Sequence, residues 1–431
     1  MRTAEVPATL ALYRAATTVA QPFAGALLAY RARRGKEDLA RADERRGIAA
    51  RPRPDGSLVW LHGASVGETI SLLPIVTRLC EKSLNVLVTS VTMTSAEILA
   101  RRLPAGAFHQ YAPFDAPLFI RRFLDHWCPD LALFAESELW PNAIIEARRR
   151  QLPLALVNAR MSERSLARWR RVPRSIEMLA GSFDLCLAQT EIDAERYRFL
   201  GAHRVVTAGN LKYDVPPPPA DQIALASLKG MTAGRPVLLA ASTHAGEEAI
   251  IAQTHGLLAH SFPSLLTIIA PRHPERGAEI AETIKAAGLR PAMRSRRLGP
   301  DSACDVYVAD TMGELGLFYR LTPIVFMGKS LVPHGGQNPI EPAKLGAAIL
   351  HGPHVQNFAS VYEALDEAGG AREISDSRTL AVAFAEMIAD PKRLREMVRA
   401  AGAAVEGLTG AVDRTMRAIE PYLMHFALGT R

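Results

Sequence analysis

From Pro54 onward the chain alternates short apolar runs with longer stretches whose apolar positions recur at helical spacing. Residues 57–64 (SLVWLHGA) read as a strand and 66–82 as a helix. Residues 85–92 (NVLVTSVT) read as the next strand, with a second helix from Ser95. The runs AFHQYAPF, LALFAES, PLALVNAR, LCLAQT and VVTAGN continue the series. Runs of this kind, rich in Val, Leu and Ala and separated by amphipathic segments, predict βαβ units and a parallel sheet covered on both faces. Val215 is then followed by Pro216, Pro217, Pro218 and Pro219. Four prolines in a row cannot join a helix or a central strand, so they predict an extended, stiff connector. The alternation restarts beyond it, with strands at 236–243, 265–272, 305–310, 323–329 and 347–352. A helix from Gly246 lies between the first two, and the chain turns helical again from about Pro391.

The expected fold class is therefore α/β, with two doubly wound domains. The expected segments are 1–46, a membrane-associated helix and basic stretch; 47–214, a first domain; 215–235, the linker; 236–405, a second domain; and 406–431, a C-terminal helix packing back on the first domain. A chain of 431 residues agrees with more than one core. Two open parallel sheets would face each other across a cleft at the carboxyl ends of their strands, where such sheets bind ligands.

The stretch from Ala8 to Tyr30 is apolar but interrupted by Arg14, Gln21 and Pro22. A spanning helix needs about 20 predominantly apolar residues, and a central arginine costs a few kcal/mol on insertion scales. A signal peptide would want a more continuous apolar core. Directly after it come Arg31, Arg33, Arg34, Lys36, Arg41, Arg45 and Arg46. A helix lying in the membrane interface, followed by a basic cluster that meets anionic lipid, accounts for both features. A marginal span and an ordinary docking helix are the other two readings.

Composition adds less. Hydrophobic residues make up 48% and charged residues 22%, with a net charge of +7. The basic balance favours anionic partners. No alternation of aromatic and basic residues tracks a single strand, so a nucleic acid is not an expected partner. Cys80, Cys128, Cys186 and Cys304 form no C-x-x-C, which argues against a disulfide framework or a structural zinc. They read as small core residues of a reduced, cytoplasmic protein.

The functional signal is positional: polar residues and glycines gather just after the expected strands. In WLHGASVGE, Ser65, Gly67 and Glu68 enter the helix from 66. Glu68 reads either as an ordinary helix-start acid, stabilised by the helix dipole, or as a catalytic base. In AESELWPN, Glu136 and Glu138 end an apolar strand, where core packing does not explain carboxylates. A solvated loop opening a helix at Pro141 is the alternative. Arg160 falls in VNARMSERS, and Lys212 in GNLKYD just before the linker. An ammonium there can neutralise a leaving phosphate or an acidic sugar, or simply be a surface lysine.

The second half repeats the pattern. Ser242, Thr243 and His244 follow its first strand, and Pro271, Arg272 and His273 its second. A guanidinium in such a rigid loop suits bidentate binding of phosphate or carboxylate. Met312, Gly313 and Glu314 in DTMGEL open an expected helix at Gly313, whose free N–H groups would hold phosphate. In GKSLVPHGGQNPIEP, Ser330, Asn338, Pro339, Ile340 and Glu341 lead into another helix, where an acid can accept ribose hydroxyls. There is no G-x-G-x-x-G to support a nicotinamide cofactor. There is no Asp-x-Asp and no H-x-x-x-H either, so no metal and no cofactor are expected.

These motifs, in this order, resemble the 3-deoxy-D-manno-octulosonic acid (Kdo) transferases over most of the chain. The resemblance implies a GT-B fold of two Rossmann-like domains and an inverting, metal-independent transfer. The implied donor is CMP-Kdo and the implied acceptor a lipid A precursor of the lipid IVA type, at the cytoplasmic face of the inner membrane. It implies Glu68 as general base, with Glu138 and Lys212 assisting the transition state. It implies a CMP site on Pro271 and Arg272, on Met312, Gly313 and Glu314, and on Asn338, Pro339, Ile340 and Glu341. Two positions depart from the family pattern: Lys329 stands where G-G-S-L has its second glycine, and Gln337 where G-G-H-N has histidine. The competing readings are a nucleotide-sugar epimerase of the same architecture, a two-domain protein closing on an anion, and a nucleic-acid binder motivated by charge alone.

Overall fold

The computed structural model describes residues 6–427. The contacts group the chain into two units. One comprises the residues up to Val215 together with those from Thr409 onward; the other runs from Pro216 to Leu408.

The first unit holds a seven-stranded sheet: β1 Leu58–His62, β2 Asn85–Ser90, β3 Ala107–Tyr111, β4 Leu131–Ala135, β5 Leu154–Ala159, β6 Leu185–Ala188 and β7 Val205–Thr207. Every pairing is parallel, in the order β3-β2-β1-β4-β5-β6-β7. All residues of β1 and β4 are buried, because helices cover both faces, and this is why those runs do not alternate apolar with polar, only His62 at the end of β1 being polar. The strand order reverses between β1 and β4. At such a switch point the two following loops diverge to opposite faces and leave a crevice at the carboxyl ends.

The second unit repeats the plan with β8 Val237–Thr243, β9 Leu266–Pro271, β10 Pro291–Met293, β11 Val306–Val308, β12 Ile324–Met327, β13 Ala348–His351 and β14 Ala371–Glu373. Its order is β10-β11-β9-β8-β12-β13-β14, again all parallel, with the switch point between β8 and β12. Strands β10 and β14 are absent from the sequence expectation. Each is a three-residue edge strand, too short to show a pattern.

The proline connector is held within the second unit. Arg320 donates to the Pro218 carbonyl at 2.8 Å, and Gly316 leaves no room for a Cβ against that carbonyl. The helix Ala411–Ala427 packs on the first unit. Asp214 accepts the N–H groups of Gly410 and Val412, and Ala411, Met416 and Ile419 join the core that includes Val59 and Leu133.

The N-terminal stretch is not one helix. Ala8–Ala20 and Ala24–Arg33 are joined by a turn at Gln21–Phe23, where Pro22 interrupts the ladder. Among the described residues no helix is long and apolar enough to cross a membrane. The structure also explains Arg14. It donates to the buried Glu146 at 2.7 Å and to Asn142 at 3.2 Å, while Tyr13 donates to Asp115 at 3.0 Å. One face of this helix is therefore docked on the fold. The other leaves Leu12 and Val19 about 70% exposed, as is Phe23 in the turn that follows. The basic cluster is partly structural as well. Arg45 is buried against Glu37, Arg41 pairs with Glu44 and Arg31 with Glu37, leaving Arg33, Arg34 and Lys36 exposed.

Two further expectations are corrected. Cys128 is exposed at the end of helix Pro117–Trp127, and Cys80 is half-exposed. Gly313 does not open a helix: with φ at 81° it turns the chain, and the helix that follows, Leu315–Tyr319, has only five residues.

Candidate active site

In the first unit the switch point is lined with acids. Strand β1 ends at His62, and Gly63 allows a tight entry into helix Val66–Glu81, since a Cβ there would lie 3.1 Å from the Glu68 Cβ. Ser65 caps the helix in a reciprocal capping box with Glu68. The Glu68 carboxylate accepts the Ala64 N–H at 2.7 Å and the weaker Ser65 N–H at 3.4 Å on Oε2, and the Ser65 hydroxyl at 2.7 Å on Oε1. A carboxylate has about four lone-pair sites. Three are engaged, so the side chain is oriented and one acceptor position on Oε1 stays available.

Strand β4 delivers the second group. Glu138 faces His62 at 3.6 Å and accepts Trp140 Nε1 at 2.5 Å. Burial opposes its ionisation, but His62 and the indole outweigh that and hold its carboxyl below the usual range. His62 is buried, pinned by Thr89 at 2.9 Å and packed edge-on to Trp140 at 4.6 Å. Glu136 has φ of 53°, an uncommon backbone state outside glycine, and binds Lys212 at 2.5 Å. Lys212 in turn runs past Gly67. It is carried by a short turn whose register is set by Asn158: the Asn158 Oδ1 accepts the Leu211 N–H at 3.0 Å. Asn210 holds the Lys212 N–H at 3.0 Å. Tertiary packing thus gathers Glu68, Glu136, Glu138 and Lys212 at the ends of β1, β4 and β7. Arg160 is exposed beyond β5.

His62, Trp140 and Asn158 were missed as individual residues. Each lies within a motif that contains an expected one, so adjacency to those residues was the available signal.

In the second unit the switch point is basic. His244 follows β8, Arg272 and His273 follow β9, and Lys329 follows β12. The His244 ring contacts His273 at 5.7 Å and His334 at 5.9 Å, and Gln337 lies 3.3 Å from it. Glu247, fully buried, was not singled out from its motif, yet its carboxylate accepts four backbone N–H groups: His244, Lys329, Ser330 and Leu331, at 2.7–3.0 Å. It binds the loop after β8 to the loop after β12. Ser242 has φ of 57° and is buried, and Thr243 donates to Glu248 at 3.0 Å. Among the described residues no three His, Cys, Asp or Glu side chains form a metal-binding group.

The other expected residues divide. Glu341 is half-buried; burial pushes its carboxyl up, with Arg272 and Lys344 pulling it back. Pro271, Pro339 and Ile340 are buried, so they offer only backbone to a ligand, and Asn338 caps its own turn through the Ile340 N–H. The Ser330 hydroxyl is consumed inside the fold, donating to the Met327 carbonyl and accepting the Gly352 N–H. Met312 is 81% exposed. Glu314 is tied to Arg294 at 2.6 Å, which together with Thr311 keeps its carboxyl low, so it is not free to recruit a ligand as an unpaired acid.

Residues 40–215 match the family described as 3-Deoxy-D-manno-octulosonic-acid transferase (kdotransferase). A protein of Arabidopsis thaliana named "Probable 3-deoxy-D-manno-octulosonic acid transferase, mitochondrial" is 35% identical, covering 93% of both chains. The 3-deoxy-D-manno-octulosonic acid transferase of Haemophilus influenzae is 34% identical over 92% of this chain and 94% of its own. Among solved structures, a glycosyltransferase from Rickettsia africae superposes with a TM-score of 0.57 over 88% of this chain and 100% of its own. At 10% identity that likeness speaks for the fold alone. Identity at this level along nearly the whole length places the chain in the 3-deoxy-D-manno-octulosonic acid transferase family.

Proposed function

We propose that this chain transfers Kdo from CMP-Kdo to a lipid A precursor of the lipid IVA type, with inversion at the anomeric carbon and without a divalent metal. The observation that carries the reading is the convergence of Glu68, Glu138 and Lys212, from three separate motifs, at the switch point of the first sheet. In this reading Glu68 takes the proton from the acceptor hydroxyl through the open position on Oε1. One base and one in-line attack suffice for inversion. Glu138, held ionised by His62 and Trp140, and Lys212, held by Glu136, supply fixed charges for the transition state. Pro271, Arg272, Met312, Gly313, Glu314 and the 338–341 turn hold CMP, with Arg272 at its phosphate.

The protein works at the cytoplasmic face of the inner membrane. Its N-terminal helices lie in the interface, with Leu12, Val19 and Phe23 toward acyl chains. Their exposure, and the exposed Arg33, Arg34 and Lys36 beyond, support this. Leu12→Ser with Val19→Ser should then weaken co-sedimentation with anionic vesicles; unchanged binding would remove the anchor.

The test of activity is mass spectrometry of purified protein with CMP-Kdo and a tetraacylated lipid A precursor in detergent with EDTA. A lipid product heavier by one or more Kdo units is expected. No product from folded protein and intact donor would overturn the reading.

A further inference from the structure

The reading above leaves Lys329 without a task. With φ of 63° it holds a left-handed conformation that glycine adopts freely and a lysine only at a cost. The conformation is imposed from below: Glu247 draws the N–H groups of Lys329, Ser330 and Leu331 onto one buried carboxylate. The same carboxylate takes the His244 N–H. Lys329 therefore emerges at the β8/β12 switch point next to His244, where open α/β sheets bind ligands.

Its surroundings are positive. The His244 ring is driven down to about 4 by burial first, then by Lys329, His273, His334 and Arg272. The acids nearby are engaged elsewhere. Glu247 is turned into the backbone, Glu275 lies 3.4 Å from His273, and Glu341 feels Arg272 and Lys344. Among the described residues Lys329 forms no ion pair. Arg272 extends from β9, on one flank of β8, and Lys329 from β12, on the other. A donor lying across this switch point presents two anions, the phosphate and the carboxylate of the sugar acid.

We propose that Lys329 is a specificity-determining residue that binds the carboxylate of the acidic sugar on the donor, across β8 from the arginine that faces the nucleotide phosphate. The inference rests on the CMP-donor reading. Either cation can meet either anion, the guanidinium bidentately and the ammonium as a point charge, and it is their placement on opposite flanks of β8 that lets one take the phosphate and the other the carboxylate.

The experiment is calorimetric titration of the full-length protein with CMP and with intact CMP-Kdo, in a Glu68→Ala background. Lys329→Gly removes the charge and the backbone strain, Lys329→Met removes the charge alone, and Lys329→Arg restores a cation. Both neutral variants should weaken CMP-Kdo about tenfold and leave CMP unchanged, with recovery in Lys329→Arg. Equal weakening of both ligands would assign the cation to the phosphate and overturn the proposal. Unchanged binding of both would overturn it as well. If the parent protein binds neither ligand, the nucleotide reading falls and the proposal with it; binding by the parent with indifferent variants sinks the proposal alone.

Discussion

The two switch points have the same topology and opposite chemistry. At β1/β4 the strand ends present Glu68, Glu136 and Glu138 with one lysine among them; at β8/β12 they present His244, Arg272, His273 and Lys329. In both, non-glycine residues hold left-handed backbone at the carboxyl ends of strands: Glu136 just after β4 and Asn158 at an irregularity near the end of β5, Ser242 at one near the end of β8 and Lys329 after β12. In both, a buried polar side chain ties down the loop that carries the functional group. Asn158 does it for Lys212, and Glu247 for Lys329. The sheet supplies the place, and the few residues after each strand decide whether the place is acidic or basic. Repetition of a fold within one chain is thus no argument for repetition of function.

The largest expected effect is at the acidic end. Glu68→Ala should lower kcat by about 10²–10⁴-fold while CMP binding holds, read by product formation and calorimetry. Near wild-type turnover would leave Glu68 as a helix cap and erase the contrast. Next is the basic end. Glu247→Ala strips the acceptor from four backbone N–H groups and should cost about 3 kcal/mol in denaturant unfolding. It should weaken CMP-Kdo binding too. A stable variant with intact binding would mean that the loop holds itself.

A smaller effect separates the N-terminal helix from the sheet. Arg14→Ala removes its bonds to Glu146 and Asn142 and should cost about 2 kcal/mol. Glu146 keeps Arg149 and Arg150, which limits the loss. An unchanged unfolding midpoint would show that the helix is held by its apolar contacts alone.

Acid should affect the first unit through His109. Burial first, then Arg41 and Arg45, hold its ring at about 3. The unfolded chain protonates this histidine near its ordinary pKa of about 6.5. Below that pH the unfolded state binds the extra proton, so stability falls as pH drops from about 6.5 toward 3. His109→Gln should flatten that part of the pH–stability curve; an unaltered slope would exclude the histidine.

The smallest effect has the opposite sign. Lys329→Gly should raise stability by about 1 kcal/mol by releasing the left-handed lysine. Its removal should also raise the His244 pKa, which the lysine helps to depress, and an NMR titration would detect this. A destabilised variant would show that the lysine side chain packs as well as binds.

Much of this was legible in the chain. The strands β1, β2, β4, β5, β8 and β9 coincide with apolar runs, because a strand buried on both faces is mostly apolar, with polar residues mainly toward its carboxyl end. Edge strands β10 and β14 lack that constraint and left no signal. The helix expected at Gly313 failed for a related reason: a glycine before an apolar residue marks a turn as readily as a helix start, and φ is set by what the loop must reach. By itself the sequence determined the alternation of strands and helices, the motifs at the strand ends and the family to which they belong. Burial on two faces and fixed backbone chemistry act over a few neighbouring residues and so are written locally. Only the tertiary structure decided that Arg14 is a docking residue rather than a flaw in an anchor, that Ser330 is spent inside the fold, and that Glu247 serves four N–H groups from two loops. Those facts depend on partners tens of residues away, and a residue's neighbours in sequence carry no record of which distant group will take its charge.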